Sequence, residues 1–186
     1  MNNIKKIIMS ALFLTMCASV FGQKYFTKDG HVTFHSDAPM EKIEAHNKRT
    51  TAVLDTETGA IEFALLIKSF QFEKALMQEH FNENYMESDK FPKAVFKGQI
   101  VNRDEVDFDS DGSYQADVKG QMTIHGVTKE VVAAGMFNVK NGEISADAVF
   151  VVKCEDYDIK IPNVVAENIA KEISVKVNIE LEPLDQ

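Results

Sequence analysis

Alternation of apolar and polar residues with a period of two is the feature that most restricts the fold of this chain. Near the C-terminus, Val175, Val177, Ile179 and Leu181 alternate with polar or charged residues. Successive side chains of a β-strand point to opposite faces, so this pattern predicts a strand with one buried face. Comparable patterns predict eight strands, over residues 31–36, 49–54, 61–67, 94–101, 114–124, 131–139, 144–152 and 175–181.

Short turn sequences separate these strands. Asn141-Gly142 lies between the sixth and seventh strands, and Asn-Gly accepts the positive φ angles of a two-residue hairpin turn. Residues 55–59, 109–112 and 125–129 also contain glycine and connect other neighbouring strands. Eight strands in consecutive hairpins can remove both exposed sheet edges by closing on themselves. The predicted fold is therefore all-β, an eight-stranded antiparallel up-and-down barrel.

Two segments depart from the period of two. Residues 72–88 lack β-branched residues and carry apolar residues at nearly helical spacing, so they predict a helix. Pro92 then separates this helix from the next strand. A shorter helix is predicted over residues 164–170, with Asn163 as its N-terminal cap. We expect one or two short helices beside the barrel.

The N-terminus has the layout of a secretory signal. Two lysines precede an apolar run over residues 7–20, and small residues stand just before Gln23. The apolar run is shorter than the about 20 residues that a membrane-spanning helix needs. We therefore predict a signal peptide over residues 1–22, cleaved near Gly22, and one barrel domain over residues 23–186 that is periplasmic or secreted.

Cysteine content and charge restrict the partners of the mature chain. Removal of the signal peptide leaves Cys154 as the single cysteine, so no disulfide can form within one chain. A lipoprotein signal with lipid-modified Cys17 is the open alternative to simple cleavage. The formal net charge is −9, and cleavage removes two lysines, which makes the chain still more acidic. An acidic chain repels phosphate backbones, so we expect no nucleic-acid partner.

No motif of the sequence assembles a catalytic or metal site. Gly-x-Ser-x-Gly, His-Glu-x-x-His and phosphate-binding glycine loops are absent from the sequence. His31 and His35 could share the polar face of a strand, but we favour solvated side chains over a two-histidine metal site. Residues 107–112 resemble the start of a calcium loop, but its closing position is Val118. We expect no catalytic residue, no metal and no cofactor.

The interior of the predicted barrel is the strongest candidate for a binding site. Inward-facing positions mix large apolar side chains with glycine and alanine. An eight-stranded barrel can either fill its lumen with side chains or hold one small ligand. Both remain open, because the small residues could also receive the 72–88 helix as a plug. The predicted lining residues are Phe34, Phe63, Leu65, Phe96, Ile100, Gly120, Met122, Gly135, Phe137 and Phe150.

Three blocks of the sequence resemble the YceI-like family. Residues 120–131 (GQMTIHGVTKEV) are similar to its signature G-x-L-T-I-x-G-V-T-K-x-V. Residues 79–98 resemble its central block, and residues 156–162 (DYDIKIP) resemble its late Asp-Tyr-Gly-Ile stretch. One departure precedes the late block, where the family often has an arginine and this chain has Lys153-Cys154-Glu155. The blocks keep the family's order and span most of the chain.

The resemblance implies a lipocalin-like, exported barrel that holds a long apolar molecule. The implied ligand class is an isoprenoid quinone, a polyprenol or a fatty-acid derivative, bound or transported without catalysis. The resemblance assigns no residue to a polar head group. The alternatives are a protein-interaction module with a filled barrel and a hydrolase that uses carboxylates or His125. The sequence leaves the identity of the ligand and the oligomeric state undetermined.

Overall fold

Nine strands form one antiparallel sheet in the computed structural model, which describes residues 23–184. The strands are β1 (Lys24–Asp37), β2 (Lys42–Asp55), β3 (Ala60–Leu66), β4 (Gln71–Phe72), β5 (Lys93–Ile100), β6 (Gly112–Ile124), β7 (Val127–Lys140), β8 (Glu143–Lys153) and β9 (Glu172–Pro183). The helix α1 spans Ala75–His80 and continues as one π-helical turn over Phe81–Tyr85. Short 3₁₀ turns lie at Ile67–Ser69, Arg103–Glu105, Cys154–Tyr157 and Asn163–Val165. The predicted signal peptide lies outside the described residues.

β1 closes the sheet into a barrel. It pairs with β9 on one side and with β2 on the other, so the strand order β1-β9-β8-β7-β6-β5-β3-β2 returns to β1. β4 adds only the pairs Ala45↔Phe72 and His46↔Gln71 to the edge of β2. The eight long strands therefore form the closed antiparallel barrel that the sequence predicts.

Two of the hairpin turns depend on paired positive φ angles. His125 and Gly126 (φ 51° and 76°) join β6 to β7, and Asn141 and Gly142 (φ 53° and 81°) join β7 to β8. Turns with two positive φ angles match the twist of the strands that they connect. The predicted Asn-Gly turn is confirmed. The turn predicted over residues 125–129 is shorter, because β7 already begins at Val127.

The helical segments are shorter than predicted. The segment over residues 72–88 is helical only from Ala75 to Tyr85. The second predicted helix is a three-residue 3₁₀ turn that begins at Asn163, and Pro162 precedes it without a side-chain cap. The predicted cap at Asn163 is therefore wrong. Val164 and Val165 are β-branched and disfavour helix, and so short a segment cannot overcome the cost of helix nucleation.

A packed apolar core fills one end of the barrel. Its main members are Tyr25, Leu54, Ile61, Ile100, Val106, Phe108, Phe137, Val139, Ile144, Ile179 and Leu181. Two of these, Val106 and Phe108, belong to the loop between β5 and β6, which covers this end. Arg103 fixes the loop, because it donates to the carbonyl oxygens of Thr56 and Val106 and lies 5.0 Å from the ring centroid of Phe108. This end of the barrel is closed.

Two glycines face each other across the wall between β5 and β6. Gly98 pairs with Gly120, and the ring of Phe96 lies over both. A Cβ atom added at Gly120 would lie 2.7 Å from Cζ of Phe96. A glycine inside a strand often marks such a close approach by another group. The sequence prediction treated Gly120 as ligand-facing, and the structure corrects this, because Phe96 occupies that space.

We expect Gly120→Ala to lower the free energy of unfolding by about 1–3 kcal/mol, because the added methyl group overlaps the Phe96 ring and the β5 backbone. Urea unfolding measures the change. Gly112→Ala is the control, since the three nearest atoms to a Cβ atom there all belong to the Tyr114 side chain, whereas at Gly120 two of the three are β5 backbone atoms. Equal destabilisation by the two substitutions would contradict this packing.

Candidate ligand-binding cavity

A cavity of about 500 Å³ occupies the end of the lumen opposite the packed core. This volume lies within the roughly 300–1,000 Å³ that small-molecule sites usually have. Side chains from all eight long strands, from the α1 segment and from the connection between β8 and β9 form its wall. Nearly all of these side chains are apolar.

Most of the predicted lining residues contribute to this cavity. They are Phe34, Phe63, Leu65, Phe96, Met122, Gly135, Phe137 and Phe150. Ile100 belongs instead to the packed core, where it is 2% exposed, and Gly120 lies beneath Phe96. These two positions are therefore corrected. Contact of the other residues with a ligand stays a prediction.

The predicted lining set leaves out the segments that cover the cavity. Two segments outside the long strands contribute Met77, Phe81, Tyr85, Met86, Ile159, Ile161, Val165 and Ile169. The four residues from Met77 to Met86 lie at nearly helical spacing and give residues 72–88 one apolar face. This spacing could have indicated that they cover the cavity. The other four belong to an irregular connection that has no periodic pattern.

The α1 segment lies over the cavity as a cover. Phe81 of the π turn stacks on Phe34 of β1 with ring centroids 5.4 Å apart, and Phe70 and Phe72 lie at 5.7 and 5.0 Å from Phe81. These four rings fasten the segment to the barrel. No residue of α1 or of the π turn is buried, and the cavity remains beneath them. The segment therefore does not fill the lumen as a plug.

His125 ties the covering segments to the turn between β6 and β7. Its Nδ1 lies 3.0 Å from the carbonyl oxygen of Tyr157, and its Nε2 lies 3.0 Å from a carboxylate oxygen of Glu87. The ring also packs edge-on against Phe91, with centroids 4.6 Å apart. His125 is not among the residues that line the cavity. Its contacts fit a structural role better than that of a catalytic base.

Two hydrogen bonds, one to a backbone carbonyl and one to a side-chain hydroxyl, fasten the connection between β8 and β9 across the same end. The amide of Met40 donates to the carbonyl oxygen of Glu167 over 2.9 Å. The amide of Ala170 donates to the hydroxyl of Ser36 over 2.8 Å. The cavity is thus bounded by a packed core at one end and by tied segments at the other.

The polar groups at the cavity wall are few. Thr50 is fully buried, and its Oγ1 has no hydrogen-bond partner within residues 23–184. Cys154 lies against the carbonyl oxygen of Ala170, and burial raises the pKa of its thiol. A raised pKa keeps the thiol protonated, and the protonated form is a poor nucleophile.

His31 and His35, the histidines that the sequence singled out, lie on the outside of β1, beside His46 of β2. His31 pairs with His46, and their nearest ring nitrogens are 3.2 Å apart. His35 contacts Glu44 instead, which also binds His46. Burial, followed by the charge of His46, lowers the pKa of His31. His31 and His35 therefore do not form the pair that was considered as a metal site.

The acidic turn at residues 107–112 uses its carboxylates to hold backbone. Asp107 accepts a hydrogen bond from the amide of Asp109, and Asp111 accepts one from the amide of Asn141. In the described part of the chain, no three histidine, cysteine, aspartate or glutamate side chains are placed to hold a metal ion. These carboxylates act as turn-stabilising groups.

A closed eight-stranded barrel with an apolar cavity in its lumen is the architecture of lipocalin-like barrels. The sequence profile of the YceI-like domain matches residues 24–181, and the chain belongs to this family. No curated protein matches this chain in sequence. No helix between residues 23 and 184 is both long enough and apolar enough to span a membrane.

Solved structures share this fold at low sequence identity. A polyisoprenoid-binding domain from Saccharophagus degradans, implicated in plant cell wall breakdown, has a TM-score of 0.75 at 11% identity over 88% of this chain and 100% of that one. BcnA of Burkholderia cenocepacia has a TM-score of 0.67 at 16% identity over 82% and 96% of the two chains. A YceI protein of Campylobacter jejuni has a TM-score of 0.59 at 17% identity over 76% and 85%. At these identities the likeness establishes the fold alone.

We expect Thr50→Val to leave the free energy of unfolding unchanged or to raise it by up to about 1 kcal/mol. Valine has the shape of threonine but removes a buried hydroxyl that has no partner within residues 23–184. Urea unfolding of ligand-free protein measures the effect, and Thr50→Ala reports the separate effect of lost packing. A loss of more than about 1 kcal/mol in Thr50→Val would show that the hydroxyl is hydrogen-bonded.

Proposed function

We propose that this protein binds a long apolar lipid in the cavity of its barrel and carries or scavenges it without catalysis. The observation that carries the proposal is the apolar wall of the roughly 500 Å³ cavity inside a closed barrel. Each Å² of apolar surface removed from water contributes about 25 cal/mol before the cost of ordering the ligand. An apolar wall with few polar groups therefore favours a ligand that is itself mostly hydrocarbon. A filled barrel that acts only through its outer surface does not fit this cavity.

The ligand class that we propose is an isoprenoid quinone, a polyprenol or a fatty-acid derivative. Support comes from the Saccharophagus degradans relative, which is described as a polyisoprenoid-binding domain and shares this fold. Within residues 23–184, the raised pKa of the buried Cys154 thiol and the contacts of His125 with Glu87 and Tyr157 support a binding role over a nucleophilic one.

We further propose that the protein acts outside the cytoplasm. The proposal is supported by the basic start and the short apolar run that precede Gln23. The intact mass of the exported protein should correspond to a chain that begins at Gln23. A lipid-modified N-terminal Cys17 would favour the lipoprotein alternative.

We expect the native protein to carry its ligand through purification. Gentle purification, organic extraction and mass spectrometry should recover an isoprenoid or long-chain acyl compound at close to one molecule per chain. Extraction of an unrelated exported protein of similar size from the same cells controls for lipid carry-over. Recovery of only background lipid would contradict the proposal.

We expect Ala133→Leu to weaken ligand binding at least tenfold while the fold remains stable. Ala133 lines the cavity, so the larger side chain occupies space that the ligand needs. Ala134→Leu is the matched control, because Ala134 is the next residue on β7 and is exposed. The measurement is the affinity for cis-parinaric acid, a fluorescent fatty acid, beside urea unfolding. Equal binding by both variants would contradict binding in the lumen.

A further inference from the structure

β7 and β8 pair only in the half of the barrel that holds the packed core. Their ladder runs from Lys140↔Glu143 to Gly135↔Ala148 and ends there. β7 nevertheless extends back to Val127, where it pairs only with β6 on its other side. β8 likewise extends to Lys153 and pairs there with β9. Two strand edges, residues 127–134 and 149–153, therefore face each other across a gap in the wall.

The cavity reaches both strand edges of this gap. Both edges contribute lining residues, which are Val131 and Ala133 on β7 and Phe150 and Val152 on β8. Where the β7–β8 ladder ends, at the pair Gly135↔Ala148, residues 135–137 and 146–148 all line the cavity. Residues 63–65 and 94–96 on the intact β3–β5 ladder also line the cavity, so consecutive lining residues alone do not identify an opening. What distinguishes the β7–β8 side is that the ladder ends where the cavity wall continues on both strands.

Exposed valines border the gap on the outside of the barrel. Val132 on β7 is 65% exposed, and Val149 and Val151 on β8 are 59% and 57% exposed. Scattered exposed apolar residues are ordinary, but these three flank one opening. Unpaired strand edges are usually protected by charged residues, since they otherwise attract other strands. An apolar border here fits the passage of an apolar molecule.

Both ends of the barrel offer more resistance than the gap. The packed core closes one end. At the other end, a ligand would have to separate the aromatic contacts of Phe81 and the contacts of His125 with Glu87 and Tyr157. Movement through the gap breaks none of these contacts.

We propose that the gap between residues 127–134 and 149–153, the β7–β8 slit, is the passage by which the ligand enters and leaves the cavity. The proposal rests on the lipid-binding function proposed above. It also narrows the ligand class, because a slit between two strands admits a thin flexible chain more readily than a rigid fused-ring molecule. An isoprenoid or acyl chain has this shape.

The test is a reversible bridge across the slit. Val132 and Val151 would face each other if the β7–β8 register continued, and both are exposed, so Val132→Cys/Val151→Cys should fold. A short bis-methanethiosulfonate reagent joins the two cysteines through two reducible disulfides, each formed with release of methanesulfinate, in a Cys17→Ala background in which the remaining Cys154 is buried. Stopped-flow fluorescence then follows uptake and release of cis-parinaric acid.

We expect the bridge to slow both uptake and release at least tenfold while the equilibrium affinity changes less than twofold. Reduction of the bridge should restore both rates. The matched control is Gln99→Cys/Lys119→Cys, which places an exposed pair across the intact β5–β6 ladder, where the same bridge should leave the rates unchanged. Unchanged rates in the bridged 132–151 protein would overturn the passage and leave the binding function standing. Failure of the unmodified protein to bind the probe would contradict the binding function and the passage with it.

Discussion

Closure of the sheet through β1 is the constraint on which the rest of this structure depends. Because β1 pairs with both β2 and β9, the eight long strands enclose a lumen of fixed width. A barrel of eight strands is about wide enough for its own side chains to fill. The sizes of the inward side chains therefore decide which part is solid and which is empty. Residues such as Leu54, Ile100 and Ile144 fill one end, whereas Ala133, Gly135 and Ala148 leave space on the side of β7 and β8.

The strands and most of the lumen could be predicted because alternation fixes both the element and its inward face. Strand ends could not be predicted in the same way. β1 begins at Lys24, well before the predicted start at His31, because register shifts between Thr27 and Val32 interrupt its regular alternation. The role of Gly120 was equally hidden. It depends on Phe96 of the neighbouring strand, and one strand's pattern contains no information about the ring that lies over it.

The cover of the cavity depends on contacts between residues far apart in sequence. His125 lies in a two-residue turn, yet its partners Glu87 and Tyr157 are 38 and 32 residues away. The sequence places these residues in separate segments and gives no reason to join them. A turn residue with a polar ring is ordinarily read as solvated, and its side chain is in fact only 10% exposed. Tertiary contacts, rather than local propensity, decide where such a residue lies.

The β7–β8 slit suits passage better than storage of a ligand. Backbone N–H and C=O groups along residues 127–134 and 149–153 lack partners across the slit, so water must satisfy them when the slit is empty. A hydrocarbon chain in the slit would displace this water without replacing its hydrogen bonds, which is unfavourable. The same chain in the cavity meets an apolar wall and leaves few polar groups unsatisfied. A bound hydrocarbon chain would therefore have a lower free energy in the cavity than in the slit, and in the proposed passage the slit is a barrier that the chain crosses.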